Sequence, residues 1–273
     1  MQSKRPWLAY IILVIWALVV LGPLIDMLLL SFKDLSGIIS DPLGLPTQWN
    51  ISNYAQAWIQ GDLLTYLINT AIVSVVSVAV ILFLSSMAAY AIARFQFPGN
   101  QFVYLFFLSG LALPIQMIAV PLFILMRDLG LVDNIASVVL IYASSGMSFS
   151  VFLLVNFIRH VPQDLEEAAL LDGASYFQIY WRIVLPLIRP SLGTVGLLNF
   201  ISAWNGFFFP LILLSNPDQM TVAVGVLSFV GQYATQWDLL LPALVIVTLP
   251  TVIVFIVVSK QFIRNMTAGA IKL

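Results

Sequence analysis

The chain has 273 residues, 61% of them hydrophobic and 8% charged, with a net charge of −1 and a mean hydropathy of +1.03. A soluble domain carries about 25% charged residues, so this composition excludes an ordinary water-soluble globule. The near-zero charge offers no basic field for nucleic acid. The absence of cysteine removes disulfides, thiolate metal sites and cysteine nucleophiles, and one histidine, His160, cannot build a histidine metal cluster.

A helix needs about 20 apolar residues to cross a bilayer. Six runs meet that length, at residues 7–30, 65–93, 102–126, 135–158, 191–214 and 239–259. The first follows Lys4 and Arg5 as a signal peptide would. It is longer than the ~7–15 residues of a signal's apolar region and lacks an A-x-A cleavage site, so it is expected to stay as a span, with Asp26 its one charged residue. The next loop carries turn signals (Asp41-Pro42, Gly44, Pro46, Asn50), and its Trp49, Tyr54 and Trp58 suit a membrane interface. The second run is long enough to require tilt. Pro114, Pro121, Pro210, Pro242 and Pro250 fall in apolar runs, which membrane bundles tolerate where neighbours satisfy the freed backbone. The expected fold is an all-α membrane protein of six transmembrane helices, read as a single membrane domain over residues 1–273.

Six spans put both termini on one side. With them lie Lys4, Arg5, Arg94, Arg159, Arg182, Arg189, Lys260, Arg264 and Lys272, and opposite them only Lys33 and Arg127. That asymmetry predicts cytoplasmic N- and C-termini.

A polar island over residues 159–190 interrupts the apolar pattern. Pro162 stiffens its start. Asp164, Glu166 and Glu167 fill a first helical turn, where the helix dipole favours negative charge. Ala168 and Ala169 let another surface approach, and Gly173 can end the helix in a left-handed conformation. Ser175 with Gln178 forms a capping box that restarts a helix. Tyr176, Ile179, Tyr180 and Ile183 then share one apolar face, and Leu185-Pro186 is expected to stop this second helix. Glu166 and Asp172 are expected to be solvated. The pattern predicts an amphipathic cytoplasmic hairpin, and on periodicity alone a plain interfacial connector fits as well.

The spacing Glu167-Ala168-Ala169, Gly173, Ile183, Leu185-Pro186 matches the EAA signature of importer permeases of the ATP-binding cassette (ABC) class. The stretch from Ala88 to Gly99, the loop Leu129-Gly130-Leu131-Val132-Asp133-Asn134, the pair Trp204-Asn205 with Pro210-Leu211, and the tail Thr267–Lys272 also resemble the MalG-like carbohydrate permeases. This resemblance implies the type I ABC importer fold, with the hairpin as a coupling helix seated in a groove of an ATPase. It implies a second homologous permease, two ATPase subunits that bind ATP and Mg, and an extracytoplasmic sugar-binding protein. The implied location is a bacterial or archaeal plasma membrane. Glu167 would then offer a charged contact, Ala168, Ala169 and Gly173 a close fit, and Ile183, Leu185 and Pro186 an anchor to the fifth span.

No glycine is followed by lysine, so the phosphate-binding G-x-x-x-x-G-K-[ST] loop is absent. The chain is expected to be a transport subunit without catalytic residues or a cofactor of its own. Its spans are nearly free of charge, which argues against a proton relay and against an anionic cargo held by a cavity arginine. A neutral di- or oligosaccharide is the expected cargo, with Gln116, Tyr142, Ser145, Asn199, Trp204 and Asn205 as candidates along its path. Trp204-Asn205 is placed near the middle of the fifth span, at the depth of many transporter sites. Each candidate has an alternative role in gluing helices together. Glycerol-phosphate or another small polar solute is the alternative cargo. A secondary transporter working without ATP would leave the Glu167–Pro186 pattern unexplained.

Overall fold

The computed structural model describes residues 7–231 and 234–270, with side chains, Leu8 aside, to Val257. In chain order the helices are α1 (Trp7–Leu30), α2 (Leu35–Ser40), α3 (Ser52–Gln60), α4 (Leu63–Arg94), α5 (Asn100–Ala112), α6 (Ala119–Asp128) and α7 (Ile135–Arg159), followed by α8 (Asp164–Leu171), α9 (Tyr176–Ile179), α10 (Leu185–Leu187), α11 (Arg189–Trp204), α12 (Phe208–Leu213), α13 (Val222–Gly225) and α14 (Trp237–Ala270). Among the described residues the sole β-pairing is an isolated bridge between Val230 and Thr235. Lys4, Arg5 and Lys272, used above to orient the chain, lie outside the described residues, as do the side chains of Lys260, Arg264 and the tail.

The fold divides into two compact units. One holds the residues up to Leu64 together with Gly225–Leu249. In it α1 is apolar and exposed on nearly every side, the mark of a helix solvated by lipid. The loop after α1 is well tied. The Asn53 amide donates to the Ser31 and Lys33 carbonyls at 3.3 and 2.9 Å, and the Ser31 and Tyr54 hydroxyls lie 2.6 Å apart. Asp34 caps α2 by accepting from the Gly37 N–H and the Ser36 hydroxyl. The Ser36 hydroxyl first, then the Gly37 N–H, hold its carboxyl below the usual carboxylate range.

The second unit holds Thr65–Val224 together with the residues from Pro250. One core lies where α4, α7 and the polar island meet, around Tyr90, Leu154, Ile158, Ile179, Tyr180 and Val184. Another joins α4, α6, α7 and α12 through Val73, Met126, Ile141 and Phe209. At one end of the unit the loop after α12 is pinned. Asp133, at φ +57°, accepts from the Ser215 and Asn216 N–H groups, and the Asn69 amide donates to the Asp218 and Met220 carbonyls.

Among the described residues four helices are long and apolar enough to cross a membrane, or up to six if each bent pair counts as one span. The expected spans at 7–30, 65–93, 135–158 and 239–259 correspond to α1, α4, α7 and the first part of α14. The other two need correction. The run 102–126 is not one helix, because α5 and the segment Ile115–Asp128 meet at 91°. Leu113, before a proline, is extended (φ −99°, ψ 117°), and Pro114 has no N–H to continue the ladder. The run 191–214 is also broken. α11 ends at Trp204 and a new helix starts at Phe208, with Pro210 in the first turn of α12, where a missing N–H leaves nothing unsatisfied.

Candidate functional site

The polar island folds as a helical hairpin. The three acidic residues Asp164, Glu166 and Glu167 occupy the first turn of α8, as the dipole favours. Gly173 sits at φ +84° and closes the helix. Its N–H donates to the Leu170 carbonyl at 3.0 Å and the Ala174 N–H to the Ala169 carbonyl at 2.9 Å, the pair of bonds of a Schellman motif. The capping box forms: the Ser175 N–H donates to Gln178 Oε1 at 2.8 Å, and the Gln178 N–H donates to Ser175 Oγ at 3.3 Å.

The second arm departs from expectation at its end. Leu185-Pro186 does not stop it. Tyr180–Val184 forms a π turn, in which the Leu185 N–H reaches back to the Tyr180 carbonyl, and Pro186 then enters the first turn of α10. The π turn widens the helix just ahead of a proline that can donate to nothing. The arm breaks at Ile188, and α11 leaves at 74° to it.

The hairpin has two faces. Ile179, Tyr180, Val184 and Ile188 are buried against α4 and α7, and Ile183, Leu185 and Pro186 are half-buried. Glu167, Ala168 and Gly173 are exposed and Ala169 is half-buried. Around them Leu165, Leu171 and Phe177 are exposed too, Leu171 by 90%. Sequence reasoning missed these three apolar residues. Phe177 stands two residues from buried Ile179, on the other side of that helix. Glu166 is also a correction: it is not solvated but 7% exposed and ion-paired to Arg94 at 2.7 Å. Asp172 is exposed as expected.

The candidate path residues separate into two groups. Gln116, Tyr142 and Ser145 line one cavity of about 220 Å³, closed by Ser202, Gly206, Phe207 and Phe208. Tyr142 and Ser145 also line a neighbouring pocket of about 30 Å³ with Ile81 and Asn199. Both helix breaks open onto the larger cavity, through Ile115-Gln116 after Pro114 and Gly206–Phe208 after α11. Irregular backbone at membrane depth is tolerated where it lines such a space. The Tyr142 hydroxyl is buried and has no hydrogen-bond partner within the structure. Gly206 passes so close to it that a Cβ there would overlap the Tyr142 ring and hydroxyl.

The remaining candidates make contacts within the fold. Asn199 is buried and ties α11 to α7, donating to Ser150 Oγ at 2.9 Å and to the Val195 carbonyl at 2.8 Å. Trp204 is buried, stacked on Phe200 with centroids 5.5 Å apart. Asn205 is exposed and its amide caps the Ile201 carbonyl at 2.9 Å. Trp204-Asn205 lies where α11 ends, at the break inside the run 191–214. Ser202 and Phe207–Phe208 also line the cavity and were not among the candidates.

The model of the inner membrane component of binding-protein-dependent transport systems matches residues 81–268, a stretch that contains both the hairpin and the cavity. The chain belongs to this permease family. The permease is 31% identical over 267 residues to the diacetylchitobiose uptake system permease protein NgcG of Streptomyces coelicolor, covering 97% of this chain and 88% of the other. It is 30% identical over 260 residues to the arabinooligosaccharides transport system permease protein AraQ of Bacillus subtilis, covering 94% and 92%. Its fold matches a chain of the crystal structure of a bacterial ABC transporter involved in the import of the acidic polysaccharide alginate. That match has a TM-score of 0.84 and 26% identity, covering 96% of this chain and 98% of that one. The permease is thus a multi-pass membrane transport subunit.

Proposed function

We propose that this permease carries a neutral di- or oligosaccharide through the membrane by alternating access, driven by ATP that a separate ATPase subunit hydrolyses with Mg. A second homologous permease and two ATPase subunits complete the complex, and an extracytoplasmic sugar-binding protein delivers the cargo. The hairpin faces the cytoplasm, as do both termini. The observation that carries this reading is the outward face of the hairpin. A rigid frame, built by the Schellman turn and the capping box, holds Glu167, Ala168 and Gly173 beside exposed Leu165, Leu171 and Phe177. Large exposed apolar side chains on so charged a segment suit a protein partner. Glu167 contacts that ATPase, Ala168, Ala169 and Gly173 allow close approach, and Ile183, Leu185 and Pro186 hold the hairpin to its own unit.

The cavity of Gln116, Tyr142, Ser145, Ser202 and three phenylalanines supplies hydroxyls, an amide and aromatic faces without a charge, the set that suits a neutral sugar. The relatives' names, diacetylchitobiose and arabino-oligosaccharides, are of that kind. The test is uptake of labelled diacetylchitobiose and arabino-oligosaccharides into membrane vesicles. Uptake should require ATP on the ATPase side and the binding protein outside, and should survive a protonophore. Uptake that follows a proton gradient without ATP would instead make the chain a secondary transporter.

A further inference from the structure

Glu166 and Glu167 are adjacent on α8 but serve opposite sides. Glu167 is exposed, whereas both oxygens of Glu166 turn inward to α4. Oε1 lies 2.7 Å from Arg94 Nε, and Oε2 accepts the Tyr90 hydroxyl at 3.2 Å. The same guanidinium donates through Nη2 to the Val161 carbonyl at 2.7 Å. Farther along α4, Ser86 Oγ and the Tyr180 hydroxyl are 2.7 Å apart. Ser86, Tyr90 and Arg94 recur every four residues, so they form one stripe of the helix. Each grips a different part of the hairpin: Arg94 takes its start and α8, Tyr90 takes α8, and Ser86 takes the π turn. Both arms are thus held by a helix that is not their neighbour in the chain.

A buried ion pair that loses one partner strands a charge in a low-dielectric interior. The hairpin and the end of α4 therefore cannot part freely, and they move together. About 20 Å along α4 from Arg94, at 1.5 Å per residue, Ile81 packs over Gly146 and lines the small pocket with Tyr142 and Asn199. We propose that the Ser86–Tyr90–Arg94 stripe makes α4 a transmission rod. It carries hairpin movement to the cavity wall in parallel with α7 and α11, and Arg94 and Glu166 are positioning residues for coupling. The proposal rests on the reading of the hairpin as the ATPase contact.

The chain's lack of cysteine allows a direct test. Ser145→Cys places one thiol in the cavity, and its labelling by a fluorescent maleimide is read on this chain's own gel band. The whole complex is used, with and without ATP plus vanadate. With Glu166 intact, trapping should change the labelling rate at least fivefold. With Glu166→Gln or Tyr90→Phe the change should fall below twofold while the ATPase stays bound and hydrolyses ATP, and Arg94→Lys should be intermediate. A full response in both Glu166→Gln and Tyr90→Phe overturns the proposal, as does no response with Glu166 intact. If the Glu166→Gln complex fails to assemble, Tyr90→Phe, which keeps the ion pair, decides alone. Absence of the ATPase from the wild-type complex would sink the docking reading itself, and that is seen before any labelling.

Discussion

Two neighbouring glutamates show how much burial decides at the scale of single residues. Glu166→Ala would leave Arg94 buried without its carboxylate, so thermal melting of the purified complex should show a loss of about 3–5 kcal/mol. Glu167→Ala removes a side chain that is exposed on this chain and should stay within about 0.5 kcal/mol when the permease is melted without its ATPase. Tyr142→Phe removes a buried hydroxyl that has no partner, so it should be neutral or slightly stabilising, while sugar uptake falls if that hydroxyl meets the cargo. Asp34 gives a pH signature. Its folded carboxyl titrates below its unfolded value, so the cap on α2 is present above the unfolded value and is lost as pH falls through the folded one. Exchange protection of the Gly37 amide, corrected for intrinsic rate, should follow that loss and should become pH-independent in Asp34→Asn. The acid pair itself was only half legible. Three carboxylates in a first helical turn predict α8, but Arg94 is far away in sequence, and only its four-residue spacing from Tyr90 and Ser86 hints at a shared face.

At the scale of elements, the hairpin was legible because its signals are local. Gly173 and the Ser175–Gln178 box act within a few residues of themselves, and the structure places both as their chemistry requires. Gly173→Ala meets no atom within 4 Å, so its cost is the left-handed backbone alone, about 1–2 kcal/mol by melting. Gly206→Ala is different: its Cβ must displace Tyr142, so uptake should drop more than stability does. The broken spans were less legible. A hydropathy run records composition, and 102–126 and 191–214 are mostly apolar and carry no charge. The break at Leu113-Pro114 depends on whether neighbours re-satisfy the backbone, and the break at Asn205–Phe207 on a cavity that needs lining. The same tertiary dependence put Ser202 and Phe207, and not Trp204 or Asn205, on the wall of that cavity.

At the scale of the whole molecule, a chain without its own phosphate-binding loop needs a partner to use ATP. The permease carries exposed Leu165, Leu171 and Phe177 on its hairpin, an uncharged cavity and no phosphate-binding loop of its own. The most direct test is to purify a tagged chain from native membranes under gentle extraction and identify what comes with it, for wild type, Glu167→Lys and Gly173→Pro. The account predicts a second permease, an ATPase and a binding protein with the wild type, and selective loss of the ATPase in both variants. A wild-type chain that comes out alone, or an ATPase retained at wild-type yield in both variants, would contradict it.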